Sequence, residues 1–113
     1  MGTFINPTQS ELVTEALALA AGASTLTLIS APPVGQSKLY RLWYYSQTSA
    51  AQAITIAAGS QTVLTLAASV TAHAIIDTGW LDNGIELTEA TALIATPAAA
   101  GPAGTFFVTY TRP

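Results

Sequence analysis

The chain has 113 residues, of which 50% are hydrophobic and only 8% are charged, and its net charge is -3. This length supports one hydrophobic core, and the scarcity of charge leaves Ala, Thr, Ser and Gln over much of the surface, which suits permanent contact with other proteins. Three basic residues are too few to neutralise a run of phosphates, so nucleic-acid binding is not expected, and the lack of cysteine excludes disulfides and thiolate zinc sites.

The first ten residues are expected to form an extended arm that precedes a single domain over residues 11–113. Gly2, Pro7 and several polar residues give this segment little to bury by itself. It lacks the basic region of a secretory signal, and Asn6 stands where a myristoylation signal has Ser or Thr. No apolar run is long enough to span a bilayer, so no membrane partner is expected.

The segment Glu11–Ala21 is the ambiguous one, since its apolar residues partly fit a helix and partly fit a strand. A strand is favoured, because a turn at Gly22-Ala23 would make it a hairpin partner of the next strand. That next strand, Ser24–Ser30, alternates threonine with leucine and stops before Pro32 and Pro33, which cannot continue a ladder of hydrogen bonds.

The segment Ser37–Ser46 reads as a central strand with bulky side chains on both faces. Strict alternation places one set on one face and the other set opposite it: Leu39, Arg41, Trp43 and Tyr45 against Tyr40, Leu42 and Tyr44. One face is expected to lie in the core, and the other is expected to be covered by an adjacent element or by a neighbouring subunit.

Two hairpins are predicted in the middle of the chain. Gln52–Ala57 and Gln61–Leu66 alternate on either side of Ala58-Gly59-Ser60, with Ile54, Ile56, Leu64 and Leu66 pointing inward. After a further strand at Ala72–Asp77, the runs Thr78–Asp82 and Ile85–Thr88 flank Asn83-Gly84, a pair that tolerates the positive φ angles of a tight turn.

The last predicted strands are Ala92–Thr96 and Thr105–Thr111, and in the second of them Phe106, Val108 and Tyr110 alternate against Phe107, Thr109 and Thr111. The chain therefore contains about seven to nine short strands without the spacing of β-α-β units. The predicted fold class is all-β, an antiparallel β-sandwich of jelly-roll type.

No arrangement of residues points to catalysis, a metal or a cofactor, so a non-enzymatic protein is expected. His73 is the only histidine, and no serine lies in a G-x-S-x-G elbow. The acidic residues Asp77, Asp82, Glu86 and Glu89 do not have the spacing of a calcium loop and are interpreted as solvated turn carboxylates.

Aromatic side chains leave two interpretations open. They are Tyr40, Trp43, Tyr44, Tyr45 and Trp80. Packing in the core or at a subunit interface is the favoured role of these rings, and a platform on which sugar rings stack is the alternative.

The order of five features along the chain resembles a family of small tailed-bacteriophage virion proteins of the capsid-decoration, head-fibre-base or tail-associated kind. The features are Ser37–Tyr45, the small-residue hairpin that follows it, Asp77–Trp80, Gly84–Leu87 and Gly104–Tyr110. The resemblance implies a β-sandwich that forms a homotrimer on a virion assembled in the host cytoplasm, with the major capsid protein or other virion proteins as partners. It also implies core packing around Tyr40–Tyr45 and Phe106–Tyr110, and it supplies no catalytic residues.

The function expected from the sequence is therefore that of a trimeric capsid decoration, or cement, protein that stabilises the phage head. The alternative is a carbohydrate-binding or receptor-contacting module of a head fibre or tail. Contacts with a neighbouring subunit or with the capsid are expected at six residues: Phe4, Ile5, Tyr40, Arg41, Tyr44 and Trp80.

Overall fold

A computed structural model of the chain describes residues 12–47, 53–66, 72–99 and 102–113, so the predicted arm with Phe4 and Ile5 lies outside the described residues. All regular elements in the described ranges are strands, which confirms the all-β prediction, and no helix there could cross a membrane. The strands are β1 (Leu12–Leu19), β2 (Leu26–Ile29), β3 (Lys38–Ser46), β4 (Ile54–Ala58), β5 (Gln61–Leu66), β6 (Ile75–Asp77), β7 (Ile85–Glu86), β8 (Leu93–Pro97) and β9 (Gly104–Thr111).

The strands form two antiparallel sheets. One sheet has the order β1-β9-β3-β6, with β7 also paired to β3, and the other has the order β2-β8-β4-β5. The first strand thus pairs with the last, the second with the one before the last, and β4 with β5 at the centre. The chain is arranged as one long antiparallel hairpin that is rolled into two sheets, which is the strand arrangement of a jelly roll.

The core lies between the two sheets and is one cluster of buried side chains. Its largest members are Tyr44, Phe106 and Tyr110 of the five-stranded sheet, which lie in the same cluster as Ile54 and Ile56 of the other sheet. Phe106, Val108 and Tyr110, which alternation groups on one face of β9, are fully buried and form the core face of that strand. Truncating any one of these aromatic rings to alanine would cost about 3–5 kcal/mol.

A β-bulge in β3 changes the predicted division of its side chains between two faces. The register of β3 against β9 shifts between Leu39 and Arg41, so that one extra residue is accommodated there. Leu39 is buried together with Leu42 and Tyr44, whereas Arg41 is partly exposed. The prediction that Leu39 shares a face with Arg41 is therefore wrong, because the bulge interrupts the two-residue period.

The ambiguous N-terminal segment is a strand, as favoured, but its predicted partner is wrong. All eight residues of β1 pair with β9 and none pairs with β2, which belongs to the other sheet. The turn at Gly22, which has a φ of 85°, carries the chain from one sheet to the other. A turn signal between two strands therefore marked a change of sheet rather than a hairpin.

The predicted hairpin of β4 and β5 is confirmed, and the one around Asn83-Gly84 is wrong. Asn83 and Gly84 do have positive φ angles of 63° and 68°, but β6 and β7 pair with β3 and not with each other. Between them, the Thr78 and Leu81 amides donate to carbonyls of β3 at 3.0 and 2.8 Å. These two strands therefore act as one interrupted strand along β3.

Candidate interaction surface

The five-stranded sheet has one face in the core and one face turned away from the other sheet, which we call the outer face. Residues directly opposite each other on paired strands lie on the same face, so the pairing defines its rows. The rows are Ala18, Thr105, Tyr45 and Ile75; Ala16, Phe107, Trp43 and Asp77; Thr14, Thr109 and Arg41; and Leu12, Thr111, Lys38 and Glu86.

The centre of the outer face is a stacked pair of aromatic rings from neighbouring strands. Trp43 and Phe107 lie parallel, with ring centroids 3.8 Å apart and an angle of 8° between their planes. Both side chains are half-buried, and the residue opposite Phe107 on β1 is the small, exposed Ala16. Such a pair contributes about 0.5–1.5 kcal/mol beyond the area it buries, and it makes the middle of this face apolar.

An ion pair lies beside the aromatic stack. The Arg41 guanidinium donates from Nε and Nη2 to the two carboxylate oxygens of Asp77, at 3.2 and 2.6 Å, and the Gly79 amide donates to the same carboxylate at 2.8 Å. The hydrogen bond from Arg41, followed by that from Gly79, lowers the pKa of Asp77 below its ordinary value. The bond to Asp77 likewise raises the pKa of Arg41.

Charge on the outer face is balanced. Lys38 lies opposite Glu86 in the register, and Arg41 is bonded to Asp77, so the two cations each have an anion beside them. The remaining residues of the four rows are aromatic, aliphatic, alanine or threonine. A partner docking there would not have to supply a net charge, and few ions would have to be desolvated.

Trp80 is held in an exposed position between β6 and β7. The residue is 61% exposed, although the segment around it is bound to β3 through the Thr78 and Leu81 amides. The Thr78 hydroxyl also accepts a hydrogen bond from the Leu42 amide at 3.1 Å. The backbone on both sides of the indole is thus fixed, and the ring is presented to solvent on an ordered support.

The predicted contact residues fall in three different environments. Arg41 lies on the outer face and Trp80 is exposed, so both are accessible to a partner. Tyr40 is half-buried, and its ring lies so close to Gly84 that a Cβ there would be 3.1 Å from the tyrosine Cζ. Tyr44 is fully buried against Phe106 and is therefore not available to a partner, because its face of β3 is the core face.

Two features of the surface were not found from the sequence. Phe107 was assigned to the face opposite Phe106 but was not recognised as half of an aromatic pair, and Asp77 was interpreted as a solvated turn carboxylate although it binds Arg41. Alternation separates Phe107 from Phe106, but it does not say which of the two rings lies outside the core. No local signal connects Arg41 with a carboxylate that is 36 residues away.

His73 and the acidic residues do not come together as a metal-holding cluster in the described residues. The His73 ring is exposed and lies 2.7 Å from the Tyr45 hydroxyl through Nδ1. Across residues 12–47, 53–66, 72–99 and 102–113, no three His, Cys, Asp or Glu side chains come together in a way that would hold a metal ion.

A groove of about 280 Å³ lies between the Ser30–Val34 segment and Arg112 with Pro113. Its lining is mostly apolar, and the Arg112 guanidinium is bonded to the Tyr110 hydroxyl at 2.8 Å.

Burial, followed by the hydrogen bond to Glu15, raises the pKa of Tyr110 above its ordinary value of 10.0. The phenol therefore stays neutral and acts as a structural link between Arg112 and Glu15.

Comparison with known proteins adds no assignment: no protein-family model matches the chain, and no curated relative is found.

Proposed function

We propose that this protein is a non-enzymatic structural component of a tailed-bacteriophage virion, a homotrimeric decoration protein that binds and stabilises the phage head. The observation that supports the proposal is the outer face, where an aromatic pair is surrounded by alanine, threonine and balanced charges. A surface of this kind can be covered permanently at low desolvation cost. Its proposed partners are further copies of the chain and the major capsid protein or other virion proteins.

The jelly roll supports the same proposal through its rigidity. The Trp43 and Phe107 rings belong to the central strands of a sheet and not to loops, so their positions are fixed by the hydrogen bonds of the ladder. Binding then orders few groups, which reduces the entropic cost of association. This is an advantage for a protein that has to occupy many equivalent places on one particle.

Virions released by the strain that carries the gene provide the test. We expect mass spectrometry to find the chain in purified virions at the copy number of a capsid component, and electron microscopy to show it as trimeric density on the head. The recombinant chain should have the light-scattering mass of a trimer. Purified virions that lack the chain, or a chain that remains an 11.6 kDa monomer at micromolar concentration, would contradict the respective part of the proposal.

A second candidate function, glycan or receptor contact in a head fibre or tail, is favoured by one observation, the 61% exposure of Trp80 on a fixed backbone. A glycan array probed with the wild type, with Trp80→Ala and with the control Thr96→Ala separates the two functions. The structural proposal expects no specific binding by any of the three. Binding that is lost only in Trp80→Ala would assign the protein to the second function.

A further inference from the structure

We propose that β1 is an open edge that pairs, antiparallel and about a two-fold axis at Ala16, with β1 of a second copy. The two five-stranded sheets would then form one continuous sheet. A two-fold contact does not build a trimer, so this interface is additional to the proposed trimer and does not depend on a role in a virion.

The free edge of β1 is unprotected over its whole length. Its eight residues pair with β9 without a register shift, and among the described residues no strand pairs with its other side. Edge strands present unpaired amide and carbonyl groups, and soluble proteins usually protect them with lysine, proline, a bulge or an inward-pointing charge. β1 contains no lysine, proline or bulge, and Leu12, Thr14, Ala16 and Ala18 are all exposed.

The one charge on β1 does not protect the edge either. Glu15 lies on the inner side of the strand, where its carboxylate accepts a hydrogen bond from the Tyr110 hydroxyl. The same carboxylate oxygen is 3.9 Å from Nη2 of Arg112. Because its charge is compensated within its own chain, Glu15 presents no free charge that would repel an approaching strand.

The other described edges are less suited to pairing, which points to β1 itself as the partner strand. β6 and β7 have three and two residues and are separated by residues 78–84. β2 has four residues, is irregular against β8 and is followed by Pro32 and Pro33. At the start of β5, the Gln61 side chain is bonded to the Glu86 carbonyl and the Thr88 amide.

The register follows from the two faces of the strand. An axis between two residues would oppose an inward side chain to an outward one, so the axis must pass through a residue. An axis at Glu15 would place two carboxylates opposite each other, which is destabilising. An axis at Ala16 instead opposes Glu15 to Leu17 and Thr14 to Ala18, with residues 13–19 of each copy paired and two small side chains at the centre.

The size of the contact predicts its strength. A strand of eight residues is about 27 Å long, so the contact would bury on the order of 300 Å² per copy, less than half of the roughly 800 Å² that each partner buries in a standard interface. The dimer should therefore be weak in dilute solution and should become populated when copies are concentrated or held side by side on a larger assembly.

Disulfide trapping tests this pairing cleanly, because the chain has no cysteine of its own. Opposed residues in an antiparallel pair have Cα atoms about 4.5–5.5 Å apart, within the range that a disulfide bridges. We expect Ala16→Cys to form a covalent dimer at least about tenfold faster than Thr96→Cys, a matched control at an exposed strand position of the other sheet. Thr14→Cys and Ala18→Cys should not dimerise alone but should cross-link to each other when mixed.

Three results would overturn the inference: Ala16→Cys reacting no faster than Thr96→Cys, self-cross-linking that is fastest at residue 14 or 18, or cross-linking of Ala16→Cys that requires deletion of residues 2–10. The last result would assign the edge to the chain's own first residues. Circular dichroism checks that each variant is folded. In ultracentrifugation, the Ala16→Lys variant should dimerise about tenfold more weakly than the wild type, since it places two like charges opposite each other at the axis. Light scattering tests the trimer separately, so either result can fail alone.

Discussion

Substitution of Gly104 by alanine is expected to destabilise the fold through a single steric conflict. A Cβ at this position would lie 2.4 Å from Oη, 2.5 Å from Cε1 and 2.6 Å from Cζ of Tyr44. These separations are about 1 Å below an ordinary contact of 3.5 Å or more. The tyrosine ring has no free space to move into, because it is fully buried and packs on Phe106 with centroids 4.6 Å apart.

The expected cost of Gly104→Ala is that of an overpacked core, about 1–3 kcal/mol. Gly104 does not have a positive φ, so no strain in the backbone adds to this value. For a domain of this size 1 kcal/mol corresponds to about 4 °C, and Tm should fall by roughly 4–12 °C. Urea unfolding followed by circular dichroism gives the free energy of unfolding, and thermal unfolding gives the shift in Tm.

A double-mutant cycle identifies the tyrosine ring as the cause. Tyr44→Leu by itself removes core packing and lowers stability, but it also empties the space that the new methyl group needs. In that background Gly104→Ala should be neutral within about 0.5 kcal/mol, which gives a coupling energy of about 0.5–3.5 kcal/mol. An equal cost of Gly104→Ala in both backgrounds, or a cost below 0.5 kcal/mol in the wild type, would refute the steric reasoning.

Three further outcomes are expected. Tyr44→Phe should be neutral or should stabilise by about 1 kcal/mol in urea unfolding, since the buried hydroxyl has no hydrogen-bond partner among the described residues, and a loss above 1 kcal/mol would reveal one. Trp80→Ala should change stability by less than about 0.5 kcal/mol, because the indole is mostly exposed; a drop of 3 kcal/mol would mean that the ring is buried. Folding lowers the pKa of Asp77, so the contribution of this carboxylate to the free energy of unfolding is complete above its ordinary pKa of 3.8. That contribution is lost as pH falls through the pKa of the folded state. Asp77→Asn should therefore flatten the acidic part of the curve of stability against pH, and an unchanged curve would contradict the role of Arg41.

Alternation of side chains predicted the parts of the fold in which no bulge intervenes. The grouping of Phe106, Val108 and Tyr110 on one face of β9 and the hairpin of β4 with β5 follow directly from a two-residue period and a short glycine turn. Alternation alone does not say which face of β9 is buried. β3 could not be divided correctly, because a bulge leaves no mark in a run of residues that are nearly all bulky. Leu39 was consequently placed on the wrong face.

Strand partners and the candidate surface were harder to predict, for the same physical reason. The turn signals at Gly22 and at Asn83-Gly84 are real, but a turn reports only that the chain changes direction and not which distant strand it then joins. The ion pair of Arg41 with Asp77 and the stack of Trp43 on Phe107 depend on those distant pairings. Exposure of Trp80 beside a turn was the part of the surface that local sequence could indicate.

The rolled hairpin also has a consequence for the order in which the chain acquires structure during synthesis. Among the strands that the structure describes, only β4 and β5 are neighbours both in sequence and in a sheet, whereas Leu19 of β1 meets Gly104 of β9 across most of the chain. Long-range pairing of this kind makes folding slow, since large loops must close before their contacts form. A nascent chain would hold β1 without its partner until β9 had left the ribosome, so chaperone binding to β1 during translation should end when β9 emerges.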